Sequence, residues 1–529
     1  MQKNSFVIGA VILAISGIVC KILGAVYKIP LANILGSQGI GLYYLVFPIY
    51  VFLLSFISSS FTVSISRRVS RFVAREDNYG AYMTLKSALI LLVILGSLGC
   101  VMLVSFAYLI ANLQGESGAV WCYIAIAPSL IAVGISSVFK GYFHGLQNMI
   151  PTAISQVLEQ VVKLSVGFSL ALMLCKNGVL YGTLGALLGV SFAEIAITLF
   201  FVIYFFVFKK RHKNLFDFDK EKRLTKKVIL KEMKTIFFEA IPFTLNSVIM
   251  PLSLVIDSFL IVNILKSMSF EGDFATSLLG INSGVINTLV GLPSTLSTSL
   301  CLTLVPFITF SLAKNDFEDI SSKSVLAIKL CFIISIPCVL VFLFFAPQVL
   351  KVLYSSSFSS SSELAFASAM LTVASINVFY LAFLQLSTAL LQAIGKSYIP
   401  VVTLFVSILL KLICEVALIL NLNINIVGAV LSNAVCYFVS CFINLYFFKR
   451  YIELRFSFFQ NFFCPFVSSA LMCLIIFLLL NIFQLGLGSA LSILLSFAGG
   501  AIFYVLSLFA VKVFTIEDTK NLFRLKKQN

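Results

Sequence analysis

Apolar runs of about 20 residues or more, separated by short polar breaks, recur along almost the whole chain. Runs of that length are too long for strands and long enough for helices that cross a bilayer. They predict spans at 6–30, 42–65, 85–111, 119–139, 152–175, 179–208, 236–265, 279–311, 325–346, 364–393, 400–420, 426–448, 460–482 and 488–512. The expected fold class is an all-α polytopic membrane protein of about 14 transmembrane helices. The first run has no small-residue cleavage site after it and continues through Lys21 and Lys28, so it reads as an uncleaved span.

Composition agrees with that pattern. Of 529 residues, 60% are hydrophobic and 11% charged, against roughly 25% charged in soluble domains. Mean hydropathy is +1.07. A cytosolic enzyme with an appended anchor and a secreted disulfide scaffold are both excluded, because the spans and their connections use up the chain.

The net charge of +16 is distributed unevenly. With a cytoplasmic N-terminus, the inside segments receive Arg67, Arg68, Arg71, Arg75, Lys140, the run from Lys209 to Lys234, Lys314, Lys323, Lys396, Lys449, Arg450, Arg455 and a tail with Lys520, Arg524, Lys526 and Lys527. The outside segments keep Lys176, Lys266 and Lys351. The positive-inside rule therefore predicts a cell-membrane protein with both termini cytoplasmic. The longest polar stretch mixes its basic residues with Phe216, Phe218 and Leu224. Beside a membrane such a stretch attracts anionic headgroups, so membrane lipids rather than nucleic acid are the expected partners. It divides the sequence into an N-lobe (1–208), a basic linker (209–235), a C-lobe (236–448) and a final segment (449–529) with two spans and the tail.

The lobes carry a weak internal repeat. GYFHGLQNMIP (Gly141 to Pro151) follows the fourth span, and LQAIGKSYIP (Leu391 to Pro400) follows the tenth. The next span of each lobe holds a lysine and a glutamate four residues apart, Glu159 and Lys163 or Lys411 and Glu415. The span after that opens with Gly-Ala, at Gly185-Ala186 and Gly428-Ala429. Six spans per lobe keep corresponding spans in one orientation, a parallel repeat of the kind found in transporters with a central cavity.

Charges within spans cost at least about 2.5–3.5 kcal/mol each at the bilayer centre, and so call for a partner or a hydrated cavity. Lys21 and Lys28 lie seven residues apart, on one helix face and about 10 Å apart along the axis. The first span holds no acidic residue to neutralise them. Lys28 is also placed to snorkel to an interface; Lys21 lies deeper, and two cations on one face suit an anion such as a pyrophosphate. The two Lys/Glu pairs fit either mutual neutralisation or release of one partner during transport, with Glu415 a site for a coupling proton or sodium ion. Asp257 follows Pro242 and Pro251 on the seventh span, where prolines free backbone carbonyls. Asn282 and Asn287 belong to a dense set of small polar residues on the eighth, suited to helix packing or to a hydrated path. The twelve cysteines form no CxxC pair, and the two histidines, His144 and His212, stand apart, so no cofactor or metal site is expected.

The stretches GIVCKILGAVYKIPLANILGSQGIGLY, SISRRVSR and GYFHGLQNMIPTAISQVLEQVVK resemble the stage V sporulation protein B-like polysaccharide transporters. These belong to the multidrug/oligosaccharidyl-lipid/polysaccharide exporter superfamily, together with MurJ-type lipid II flippases. The resemblance implies two six-helix lobes in a V shape with two extra C-terminal helices, and movement of undecaprenyl-pyrophosphate-linked sugars across the membrane. It implies basic substrate-binding residues on the first helix at Lys21 and Lys28, and a role in peptidoglycan or other cell-wall polysaccharide synthesis, in growth or sporulation. Unlike the best-known lipid II flippases, this sequence has no Arg inside the second or eighth span, which makes the expected cavity less cationic.

The leading expectation is a lipid-linked oligosaccharide flippase, with lipid II as cargo and the cell-wall synthesis machinery as a further partner. Flippases for teichoic or capsular precursors and multidrug/cation antiporters are the alternatives within transport; against the antiporter, the first span has no acid. A glycosyltransferase or polymerase would need an extramembrane catalytic segment that the chain lacks room for. A scaffold at the division or sporulation septum is a further class.

Overall fold

The computed structural model describes residues 2–212, 216, 226–313, 315–358, 360–421, 424–454, 456–483 and 489–511. Residues 213–215 and 217–225 of the basic linker, Lys314, Arg455 and the basic tail lie outside these residues. Among them every regular element is helical. Thirteen helical stretches are long and apolar enough to cross a membrane. The first, Val19–Val73, covers two of the expected spans, and each of the others matches one. The chain is a multi-pass membrane protein.

The chain forms two compact units, Met1–Gly284 and Val285–Asn529. The first unit contains α1 (Gln2–Ile57), α2 (Ser59–Val73), α3 (Asn78–Leu113), α4 (Val120–Ile126), α5 (Ser129–Gly145), α6 (Ile150–Val162), α7 (Phe168–Cys175), α8 (Val179–Arg211), α9 (Lys226–Ser267) and α10 (Gly272–Gly280). Helix α1 is broken at Gly36 (φ 68°, ψ 178°), a backbone region open essentially to glycine alone. A π turn, Lys163–Gly167, joins α6 to α7. Helix α9 starts inside the stretch read as linker, at Lys226. An aromatic core packs α5 on α8, with the Phe139 and Phe201 rings stacked at 6.2 Å.

The second unit contains α11 (Asn287–Ala313), α12 (Phe317–Leu353), α13 (Ser361–Ala393), α14 (Tyr398–Ile419), α15 (Val427–Tyr451), α16 (Cys464–Phe483) and α17 (Ser489–Ala510). Its core gathers Phe332, Phe383, Leu386, Phe448, Met472 and Ile476 from α12, α13, α15 and α16. Helix α17 is tied to α12 by the Tyr504 hydroxyl, which donates to the Ile333 carbonyl at 2.8 Å.

The sequence repeat has local structural counterparts. Asp77 caps α3 by accepting from the Gly80 amide at 2.8 Å, and Asp316 caps α12 by accepting from the Asp319 amide at 3.0 Å. The residue before each cap is left-handed, Glu76 at φ 58° and Asn315 at φ 56°. The two GYFHGLQNMIP-like turns also match: the Asn148 amide donates to the Phe143 carbonyl and the Lys396 amide to the Leu391 carbonyl, both at 2.9 Å. The Gly-Ala dipeptides serve one purpose. A Cβ on Gly185 would stand 2.7 Å from the Leu170 backbone, and one on Gly428 would stand 2.7 Å from the Leu418 backbone. In each case the missing side chain lets the sixth span of the half approach the backbone of the fifth.

Candidate functional site

A polar seam runs where α1 packs on α6. Ser16, Cys20 and Gly24 recur every four residues and so share one face of α1. The Ser16 hydroxyl donates to Gln156 Oε1 at 3.0 Å, and Gln160 Oε1 lies 3.6 Å from where a Cβ on Gly24 would stand. One turn further along α6, Lys163 donates to Glu159 at 2.6 Å. Buried Glu194 on α8 interacts electrostatically with both of them and with Lys140. Two carboxylates, Glu159 and Glu194, thus share the ammonium groups of Lys163 and Lys140, and Lys163 also opens the π turn. Such turns break the regular hydrogen-bond ladder and are frequent at functional sites.

Lys21 and Lys28 stand beside this seam, one residue around from Cys20 and Tyr27. Both are exposed, and among the described residues neither forms an ion pair. The Lys28 ammonium lies 5.9 Å from the centroid of the Tyr44 ring, which comes after the Gly36 break. Lys28, Tyr27, Tyr43, Tyr44 and Gly284 line a small cavity of about 10 Å³. Two unpaired cations with an aromatic neighbour can attract an anion and offer a ring to an attached sugar.

Asn282 lies in the π turn Ile281–Ile286, with the unit boundary falling inside that turn. It is 3% exposed, and its Oδ1 has no hydrogen-bond partner among the described residues. Gly280 and Gly284 flank it and rest on the α1 segment that follows Gly36: Cβ atoms there would meet Ser37 O at 2.2 Å and Ile40 Cγ2 at 2.1 Å. Asn287 starts α11 in the second unit and is half-buried. Asp257 is buried on α9, next to Ser258, whose hydroxyl accepts from Gln114 Nε2 at 3.0 Å. In the second unit Lys411 and Glu415 are both buried, with Nζ and Oε2 4.0 Å apart. This reversed pair is looser than its counterpart on α6. Among the described residues, no three His, Cys, Asp or Glu side chains converge as metal ligands.

One cluster escaped the sequence reading. Arg68 on α2 donates to Glu232 on α9 through Nε (2.7 Å) and Nη2 (2.6 Å), and to Glu239 through Nη1 (3.0 Å). Thr84 on α3 also donates to Glu232 at 3.0 Å. Glu232 and Glu239 are seven residues apart, a spacing that sets both on one face of α9. That spacing was the available signal.

Comparison with known proteins places these features. Residues 6–312 match the model of the family described as polysaccharide biosynthesis protein, and residues 242–416 match the MatE model. The chain is 28% identical over 358 residues to stage V sporulation protein B of Bacillus subtilis (strain 168), covering 68% of each chain. It is 26% identical over 462 residues to the lipid II flippase MurJ of the same organism, covering 84% of this chain and 82% of that one. Among solved structures, lipid II flippase MurJ in an inward closed conformation aligns with a TM-score of 0.69 at 15% identity, covering 94% of this chain and 98% of the other. An inward-facing multidrug resistance MATE transporter of the MOP superfamily aligns at 0.65 and 16%, covering 82% and 94%. The fold is that of the MOP-superfamily transporters, and since the first family model spans more than half of the sequence, the chain belongs to the polysaccharide biosynthesis protein family.

Proposed function

We propose that this protein is a flippase that carries an undecaprenyl-pyrophosphate-linked saccharide, with lipid II as the leading cargo, from the inner to the outer leaflet by alternating access. The observation that carries the proposal is the pair Lys21 and Lys28: two exposed cations on one face of a membrane helix, with no ion pair among the described residues. A charge in that setting is costly unless water or an anionic ligand reaches it, and a lipid pyrophosphate supplies the anion while its prenyl tail stays in the bilayer. The name of one relative, a lipid II flippase, supports the same cargo class. Asn282, whose carbonyl oxygen has no hydrogen-bond partner among the described residues, and Asn287 are assigned to the headgroup path. Glu159, Lys163, Asp257, Lys411 and Glu415 are assigned to gating or to coupling with a proton or sodium ion. The charge distribution supports cytoplasmic termini.

The test is reconstitution of the full chain with lipid II and, separately, with teichoic and capsular lipid precursors, measuring externalisation. Movement of one precursor identifies the cargo. A second reading, multidrug/cation antiport, is favoured by the MatE match over 242–416. Extrusion of a cationic dye with no movement of any lipid precursor would replace the first reading with the second.

A further inference from the structure

A cavity of about 330 Å³ lies where the C-terminal half of α2 faces α9, lined by Ser64, Arg67, Arg71, Glu239, Pro242 and Phe243. Its volume is within the range of about 300–1,000 Å³ usual for small-molecule sites. The three arginines around it have very different surroundings. Arg68 is saturated by Glu232 and Glu239. Arg71 shares Glu239 at a loose 3.6 Å and is two-thirds exposed. Arg67 has no carboxylate partner among the described residues; its guanidinium lies 4.6 Å from the Phe243 ring centroid. Among the described residues these three guanidinium groups meet two carboxylates, which leaves one positive charge over, and it falls on Arg67 in the cavity lining.

We propose that this cavity is an anion site for the phosphate group of a lipid headgroup, with Arg67 and Arg71 as its ligands and Glu239 as a built-in competitor. Arg67 and Arg71 are four residues apart, so both project from one face of α2. The guanidinium fork matches two phosphate oxygens at a time. Stacking on Phe243 holds Arg67 in place without using its hydrogen-bond donors. An entering phosphate displaces Glu239 from Arg71, whereas the doubly bonded Arg68–Glu232 pair stays closed and keeps α2 on α9. The site is separate from Lys21 and Lys28 and stands whether or not these two bind cargo. Its phosphate comes from the transported lipid-linked saccharide or from bulk anionic phospholipid.

The experiment uses full-length protein in neutral detergent, in a Lys21→Ala/Lys28→Ala background that silences the first-helix site, with inorganic pyrophosphate as the probe. Binding is expected, weakened at least tenfold by Arg67→Gln and strengthened severalfold by Glu239→Gln. Arg67→Gln breaks no ion pair, so an unchanged melting temperature certifies the variant as folded. Competition by undecaprenyl pyrophosphate but not by dioctanoyl phosphatidylglycerol assigns the site to transported lipid, and competition by both assigns it to lipid phosphate in general. No binding in the background protein, or equal binding with and without Arg67, overturns the proposal. Loss of transport in Lys21→Ala is a separate result that bears only on the flippase reading.

Discussion

Arg68 and Glu232, 164 residues apart in the chain, are joined by two parallel hydrogen bonds, at 2.7 and 2.6 Å, between side chains 14% and 7% exposed. The buried carboxylate also accepts from Thr84, so α2, α3 and α9 meet on a single charged group. Removing one partner of such a pair strands the other charge. Glu232→Ala is expected to lower unfolding stability by about 3–5 kcal/mol. Arg71→Ala, which breaks an exposed 3.6 Å contact, is expected to cost less than about 1 kcal/mol. Denaturation of both variants in detergent, followed by circular dichroism, checks the contrast; equal costs would mean that the network is not centred on Glu232.

The two Gly-Ala dipeptides make a paired prediction. A methyl group at Gly185 or Gly428 would have to push apart two helix backbones. Each alanine substitution is expected to cost about 1–3 kcal/mol by overpacking. Gly17, inside α1 and with no atom within 4 Å of where its Cβ would stand, is the control, and Gly17→Ala should not lower the melting temperature. Similar melting temperatures for all three variants would refute the close-approach account.

These contrasts show what could be read from the chain alone. The spans are legible because a bilayer demands an unbroken apolar length, and polar breaks between them are visible residue by residue. The Glu159–Lys163 pair is legible because an i, i+4 contact needs only its own helix. Arg68–Glu232 is not, because its partners sit on separate helices and Glu232 falls in a stretch whose lysines read as a lipid-facing linker. The π turns at Lys163 and Ile281 are equally hidden. Tertiary packing creates them, and no residue type announces a sixth-residue hydrogen bond. Glu194 is hidden for the same reason, because only the packing of α8 brings it into electrostatic interaction with Glu159 and Lys163.

For transport, Lys21→Ala is expected to reduce lipid externalisation much more than Lys329→Ala. Lys21 is exposed on the α1 face assigned to cargo, whereas Lys329 belongs to α12. Initial rates in proteoliposomes with matched protein content decide it, and equal losses would show that the first-helix face was misassigned.

Glu415 is buried, with its charge 4.0 Å from Lys411 rather than in a tight pair. If it carries the coupling ion, Glu415→Gln should flatten the dependence of transport on pH and sodium gradients. Glu159→Gln, in the closed 2.6 Å pair, should change the maximal rate more than that dependence. Unchanged gradient dependence in Glu415→Gln would remove it from the coupling path.

Gly36→Ala forces a side chain into φ 68°, ψ 178°, and is expected to cost about 1–3 kcal/mol. Thermal melts in detergent would show it, and a neutral result would mean that the chain can pass this point as a continuous helix.

The break at Gly36 also resets helical phase. Lys21 and Lys28 precede it, and Tyr43, Tyr44 and Phe47 follow it, so the two groups do not share one helical cylinder although only seven residues separate Lys28 from the break. A single residue inserted before Gly36 would turn the preceding segment by about 100° relative to the following one. The contact between Lys28 and the Tyr44 ring therefore depends on the length of chain between them, and an insertion or deletion there would part the two without altering either side chain.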